Sequence, residues 1–240
     1  MHFMRSYLAL SRELEKQLQT ASHGDPVPSE NQLASRYRIS RLTARAVLQD
    51  LERRHVVRRV QGLGTFVTRR LDYRIDSEGP ASFTEIVRAA GGDPATTTDS
   101  VAVRAPTRAE RSALELSGRG EKVIEIRRCR WLDGEPVGIG SSILPLARVP
   151  DLSDLLEEGQ SLYSLLSDHY KLKPKRAWFR CEVVTAPDEV AERLDLKGRP
   201  DLFHNQGRLE SARLGLPIEL QDGWLRTDVF NVVIEVGTFK

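Results

Sequence analysis

Apolar residues recur at helical spacing from the first turns of the chain. Tyr7, Leu10, Leu14 and Leu18 share one face of a segment over 6–19, with Arg12, Glu13, Glu15 and Lys16 on the rest of it. The breaker-rich run Ala21-Ser22-His23-Gly24-Asp25-Pro26 ends that pattern. Ser29 then offers an N-cap, and Gln32 three residues on completes a capping box, so a short helix is expected to about Tyr37. Ser40 caps a third expected helix, Arg41 to about Arg54, with Ala44, Val47, Leu48 and Leu51 on its apolar face. Next come two short β-type runs, Val56-Val57-Arg58-Arg59-Val60 and Thr65-Phe66-Val67, around Gln61-Gly62-Leu63-Gly64. They read as a hairpin. Helix, short helix, long helix and β-ribbon in that order predict a winged helix-turn-helix over 1–70.

Residues 71–80 are polar, end in Gly79-Pro80 and read as a linker. From 81 to 240 the pattern is mixed. Strands are expected at 99–104, 122–132, 137–144, 176–185, 202–213, 217–225 and 231–236, and helices at about 82–90, 107–116, 151–156, 161–170 and 187–195. An internal echo runs through this half. Ala105-Pro106 returns as Ala186-Pro187, Ala109-Glu110-Arg111 as Ala191-Glu192-Arg193, and Gly134-Glu135-Pro136 as Gly215-Leu216-Pro217. The near-constant offset predicts two copies of strand, helix, strand, strand in one antiparallel sheet with helices against it, and a ligand pocket between the copies.

Charge sharpens this division. The net charge of +2 conceals 13 Lys/Arg against 6 Asp/Glu in residues 1–70, and 23 against 28 in the remainder. A basic head on an acidic body implies that the head meets a polyanion. No apolar run reaches the length of a membrane span, and Met1-His2-Phe3-Met4-Arg5 lacks the apolar core of a signal peptide, so a cytoplasmic protein with no membrane partner is expected. Cys129 and Cys181 read as free thiols. The five histidines are scattered, and no catalytic, metal or cofactor motif occurs.

The head is similar to the GntR family of regulators. The likeness rests on Val27-Pro28-Ser29-Glu30, Leu33-Ala34, Ile39-Ser40-Arg41, Thr43-Ala44-Arg45, Ala46, Leu48, Leu51, Val57, Arg59, Gln61-Gly62 and Gly64-Thr65-Phe66-Val67. His55 stands where the family has Gly, and Ala44 where it has Val or Leu. The resemblance implies a recognition helix whose Arg41, Thr43 and Arg45 reach base edges of double-stranded operator DNA. It also implies phosphate contacts from Asn31, Arg59, Gly62, Gly64 and Thr65. A solvated charge run is the competing reading for Arg53, Arg54, Arg58 and Arg59.

The second half resembles the UTRA effector domain of the HutC branch. It does so through Ser82-Phe83-Thr84-Glu85, Arg128-Cys129-Arg130, Gly134-Glu135-Pro136, Ser161-Leu162-Tyr163 and Pro217-Ile218-Glu219 before Arg226. Leu71-Asp72-Tyr73 and Arg226-Thr227-Asp228 look like the PhnF type, which regulates phosphonate or phosphate uptake. The implied whole is an α+β protein: a winged helix-turn-helix, then an antiparallel sheet with helices like that of chorismate lyase. It acts as a homodimeric repressor controlled by a small anionic effector and is not an enzyme. Arg128 and Arg130, two apart on one strand, share a face and require an anion or carboxylates between them. With them, Ser82, Phe83, Thr84, Ser161, Tyr163, Glu219 and Arg226 form the expected effector site. Pairing of the arginines with Glu135 or Glu219 is the competing reading. A sugar-phosphate or amino-acid-derived effector, an enzyme with a DNA-binding head, and an architectural DNA-binding module are the alternatives.

Overall fold

The computed structural model describes residues 7–21, 24–54, 56–60, 62–68, 70–75 and 82–234. The chain divides into two compact units, Met1–Leu71 and Asp72–Lys240. His55, Gln61, residues 76–80 of the expected linker and the end of the strand expected at 231–236 lie outside the described residues, as does the N-terminal pentapeptide.

The first unit follows its capping chemistry. Helix α1 (Tyr7–Leu18) is followed by β1 (Pro26–Val27), α2 (Glu30–Tyr37) and α3 (Arg41–Arg53). Ser29 has extended backbone, its side chain accepts from the Gln32 amide, and Gln32 Oε1 accepts from the Ser29 amide at 2.8 Å, closing the capping box. Ser40 Oγ accepts from the Thr43 amide at 3.0 Å and starts α3. Strands β2 (Val57–Val60) and β3 (Gly64–Val67) form the wing, and β1 adds to the free edge of β3. Leu10, Leu14, Leu33, Ala44, Val47, Leu48 and Leu51 are buried together with Val57 and Val67. One buried polar link crosses this core. Asp50 accepts from Ser11 Oγ at 2.6 Å and pairs with Arg54, which also reaches Glu15 at 2.6 Å. Arg54 therefore fastens α1 to α3.

The second unit begins with a departure from expectation. Leu71–Ile75 forms a strand, β4, where the sequence reading placed linker. Its partner is the last strand, β11 (Phe230–Ile234), and Asn231 donates to Asp72 at 3.3 Å. The signal was present: Leu71, Tyr73 and Ile75 alternate with Asp72 and Arg74, the period of a strand. Between β4 and β11 lie α4 (Phe83–Ala89), β5 (Pro94–Arg104), α5 (Arg108–Ala113), β6 (Val123–Leu132) and β7 (Glu135–Pro145). Then come α6 (Leu152–Leu155), α7 (Leu162–Ser164) running into a π turn at Leu165–His169, β8 (Pro174–Thr185), α8 (Asp188–Arg193), β9 (Asp201–Ser211) and β10 (Pro217–Arg226). Six of these strands form one antiparallel sheet in the order β5-β6-β7-β10-β9-β8.

The order shows the internal repeat in space. Each copy is strand, helix, strand, strand, and the copies meet at β7 and β10. Both helices end alike. Leu114 and Leu194 are fully buried C-caps, Glu115 and Asp195 adopt left-handed backbone at φ 54° and 49°, and Leu116 and Leu196 donate back to the carbonyls of Arg111 and Ala191. The strands expected at 137–144 and 217–225 are the two central ones. The edges are β5 and β8. The main core, Ile124, Ile126, Leu144, Leu162, Leu166 and Leu209 among others, lies between one sheet face and the segment 146–172. No helix among the described residues is long and apolar enough to cross a membrane.

Candidate functional site

In the first unit, a groove opens between the starts of α2 and α3 and the wing. Asn31, Arg41, Arg59, Gly62, Gly64 and Thr65 line it, with Glu30 and Leu63. Gly62 and Gly64 have φ of 79° and 130°, a conformation that a residue with Cβ adopts only under strain, so the wing tip requires them. Thr43 stays at the helix start, its hydroxyl 2.8 Å from that of Ser40. Arg45 is exposed one turn further on and does not line the groove. Its Nε donates to both oxygens of Glu30 at 3.1 and 3.2 Å. Arg59 Nη1 lies 3.5 Å from the same carboxylate, while its Nε meets Glu52 at 3.4 Å. The bond from Arg45 holds the Glu30 carboxyl below the usual carboxylate range. Glu30 thus joins the recognition helix to the wing, a role the sequence reading did not assign.

In the second unit, a cleft lies on the sheet face that carries Arg128 and Arg130. It lies between Tyr73, Phe83, Tyr163 and Phe179, over Ser142, Asn205 and Gln221. A smaller side chamber shares Phe83, Arg128, Arg130 and Tyr163 with it and is lined further by Ser82, Thr84, Thr96, Gln160 and Ser161. Seven of the expected effector residues are therefore brought together. The floor is open because Gly140 and Gly223 face each other across β7 and β10. A Cβ on Gly140 would stand 3.1 Å from the Asp222 carbonyl and 3.4 Å from Arg130 Nη1. Tyr73, Phe179, Asn205, Gln221 and these glycines were not foreseen.

The electrostatics of the cleft are unusual. Arg128 Nη1 donates to the Gln160 carbonyl at 3.3 Å, and neither Arg128 nor Arg130 has an ion-pair partner among the described residues. Burial, with the repulsion of Arg130, pulls Arg128 down to about 10. Glu219 is 0% exposed and lines neither chamber, and its oxygens make no well-formed hydrogen bond. Burial pushes its carboxyl up against the opposing pull of Ser142, Gln221, Arg128 and Arg130. Tyr163, its hydroxyl accepting from Gln221 Nε2, is likewise pushed up by burial. Arg226 departs from expectation: it lines neither chamber. It makes a two-pronged pair with Asp228, at 3.0 and 2.6 Å, and approaches Glu135 and the Pro136 carbonyl. Its role here is to close the β10–β11 turn. Ser161 Oγ accepts from the Ser164 amide at 3.4 Å as a helix cap, beside the carbonyl that holds Arg128.

Comparison with known proteins places both units. Residues 7–67 match the profile of the bacterial regulatory proteins, gntR family, and residues 89–231 that of the UTRA domain. The probable fructoselysine utilization operon transcriptional repressor of Escherichia coli (strain K12) is 29% identical over 187 residues, 67% of this chain and 71% of the relative. The HTH-type transcriptional regulator TreR of Bacillus subtilis (strain 168) is 28% identical over 174 residues, 72% of this chain and 71% of the relative. The crystal structure of PhnF from Mycobacterium smegmatis superposes with a TM-score of 0.69 at 22% identity, covering 95% of this chain and 99% of that one, and supports the fold. These relatives are regulators rather than enzymes. The chain is a transcriptional regulator of the GntR family, a winged helix-turn-helix joined to a UTRA domain.

Proposed function

We propose that the protein is a homodimeric repressor whose affinity for double-stranded operator DNA is set by a small anionic effector bearing a phosphate or phosphonate group. The observation that carries the effector class is the pair Arg128 and Arg130, on one strand face and without carboxylate partners. Charge-assisted bonds to an oxyanion are stronger than neutral ones, and two converging guanidiniums suit its geometry. Ser82, Phe83, Thr84, Ser161 and Tyr163 complete the wall around that anion. Glu219, buried outside both chambers, acts on the two arginines only through its electrostatics. The DNA contacts are assigned to Arg41, Thr43 and Arg45 for bases, and to Asn31, Arg59, Gly62, Gly64 and Thr65 for the backbone. A two-fold dimer through residues 71–240 doubles the few base pairs one head can read.

A phosphonate or phosphate uptake operon is one reading of the regulated genes. A second rests on the main chamber. Asn205, Gln221 and Ser142 offer neutral hydrogen-bonding groups, and Tyr73 and Phe179 offer flat walls, which suit a hydroxylated organic body attached to the anion. A relative named for fructoselysine utilization fits that second reading. Calorimetry with glucose 6-phosphate, fructose 6-phosphate, methylphosphonate and inorganic phosphate separates them. Binding of only the small anions supports uptake control, and preference for the sugar phosphates supports the second. Undiminished binding to the Arg128→Ala/Arg130→Ala protein removes the site assignment.

A further inference from the structure

We infer that Leu42 reads the 5-methyl group of a thymine in each half of the operator. The other large apolar residues of α3 serve the core, with Val47, Leu48 and Leu51 at 0–1% exposed, whereas Leu42 is 75% exposed. Isolated leucines are common on protein surfaces, but the place of this one is specific. It is the second residue of α3, next to Arg41 and three before Arg45, on the outward side of the helix start that this fold sets into the major groove. Among the edges displayed in that groove, the thymine methyl is the apolar one, and an aliphatic side chain matches it without leaving a polar group unmet. Residues three apart on a helix stand about 5–6 Å from each other. The thymine therefore lies one or two base pairs from the base met by Arg45, whose guanidinium Glu30 already holds in place.

Leu63 is the alternative, since it is 76% exposed at the wing tip between Gly62 and Gly64. A wing meets the phosphate backbone or the minor groove, where no thymine methyl is displayed. The two leucines are thus distinguishable by one methyl group on the DNA. The inference rests on the proposed placement of α3 in the major groove, which Arg45→Ala tests separately.

The experiment selects operators from random duplex DNA with the full chain, then replaces each thymine singly by deoxyuridine. In the parent protein, deoxyuridine at one position of each half-site is expected to weaken binding about four-fold, the worth of one buried methyl. Leu42→Ser should lose a similar factor on the thymine site and become indifferent to deoxyuridine there, while Leu63→Ser keeps the parent's sensitivity. Leu42→Ala gives the same pattern and guards against an effect of the serine hydroxyl. The inference is overturned if no position responds to deoxyuridine in the parent, or if Leu42→Ser responds as the parent does. Transfer of the loss to Leu63→Ser overturns it too. If Arg45→Ala leaves both affinity and base preference intact, the placement of α3 fails instead.

Discussion

The two units treat arginine in opposite ways. In the head, Arg45 and Arg59 share Glu30, and Arg54 is held by Asp50 and Glu15, although all three guanidiniums are partly or largely exposed. In the sensor, Arg128 and Arg130 are less accessible and have no ion-pair partner among the described residues, while burial pushes the Glu219 carboxyl above its ordinary value. Solvent already screens an exposed pair, so pairing in the head adds little stability and mainly fixes geometry. An unpaired charge in a part-buried cleft is costly to the folded domain, and the proposed anion would relieve that cost. The head is built to present its cations in register to a surface; the sensor holds its cations in want of a partner.

The largest effect that tests this contrast is at Arg128. Arg128→Met should weaken binding of a phosphate-bearing ligand by about 100-fold, or about 2.7 kcal/mol, while making the ligand-free sensor more stable by about 1 kcal/mol. Calorimetry and thermal unfolding measure the two halves, and a destabilised variant would mean that the bond to the Gln160 carbonyl outweighs the cost of the buried charge. Arg45→Ala should cost about 1–3 kcal/mol of operator affinity and relax base preference, with stability changed by no more than about 0.5 kcal/mol because the site is on the surface. Footprinting identical to the parent would remove Arg45 from base readout.

Glu30→Gln is expected to have a smaller and two-sided effect. Losing a negative charge near the DNA should raise non-specific affinity slightly, while the freed Arg45 and Arg59 discriminate less well between the selected operator and random sequence. Titrations of both DNAs at matched salt read this directly. If discrimination survives, Glu30 is only a surface ion.

The smallest effect concerns pH. Glu219 is raised above its ordinary value of 4.5 in the folded chain, so the folded state holds this proton more tightly than the unfolded one. Stability from that proton is complete below about 4.5 and is lost as pH rises towards the folded value. Denaturant midpoints of the parent and Glu219→Gln should coincide in their trend at low pH, then diverge in favour of the variant as pH rises. Parallel curves throughout would mean that the folded chain holds the Glu219 proton no more tightly than the unfolded one.

The head was legible because its determinants are local. Ser29 with Gln32, and Ser40 before Arg41, mark helix starts within a few residues, and Gly62 and Gly64 mark the wing tip. The sensor's repeat and the Arg128/Arg130 face were legible for the same reason, since a period of two needs only adjacent positions. What escaped depends on residues far apart in sequence. Tyr73 joins the cleft because β4 pairs with a strand at the other end of the domain. Gly140 and Gly223 become a floor only once β7 and β10 are in register. Arg226 is drawn away from the cleft by Asp228, two residues later, once the β10–β11 turn brings the two side chains together. Glu30 belonged to a familiar motif, but its link to the wing arises only when the hairpin folds against α2.

The pairing of β4 with β11 also sets an order of events during synthesis. Asp72 meets Asn231, 159 residues later. The head is complete once the chain reaches Val67, whereas the sensor cannot close until β11 has been made. At translation speeds of about 5–20 residues per second, that interval is roughly 8–30 s. A nascent regulator therefore carries a finished DNA-binding head well before it has anything with which to sense an effector. A chain interrupted before residue 230 would retain the head and lack the strand that pairs with β4.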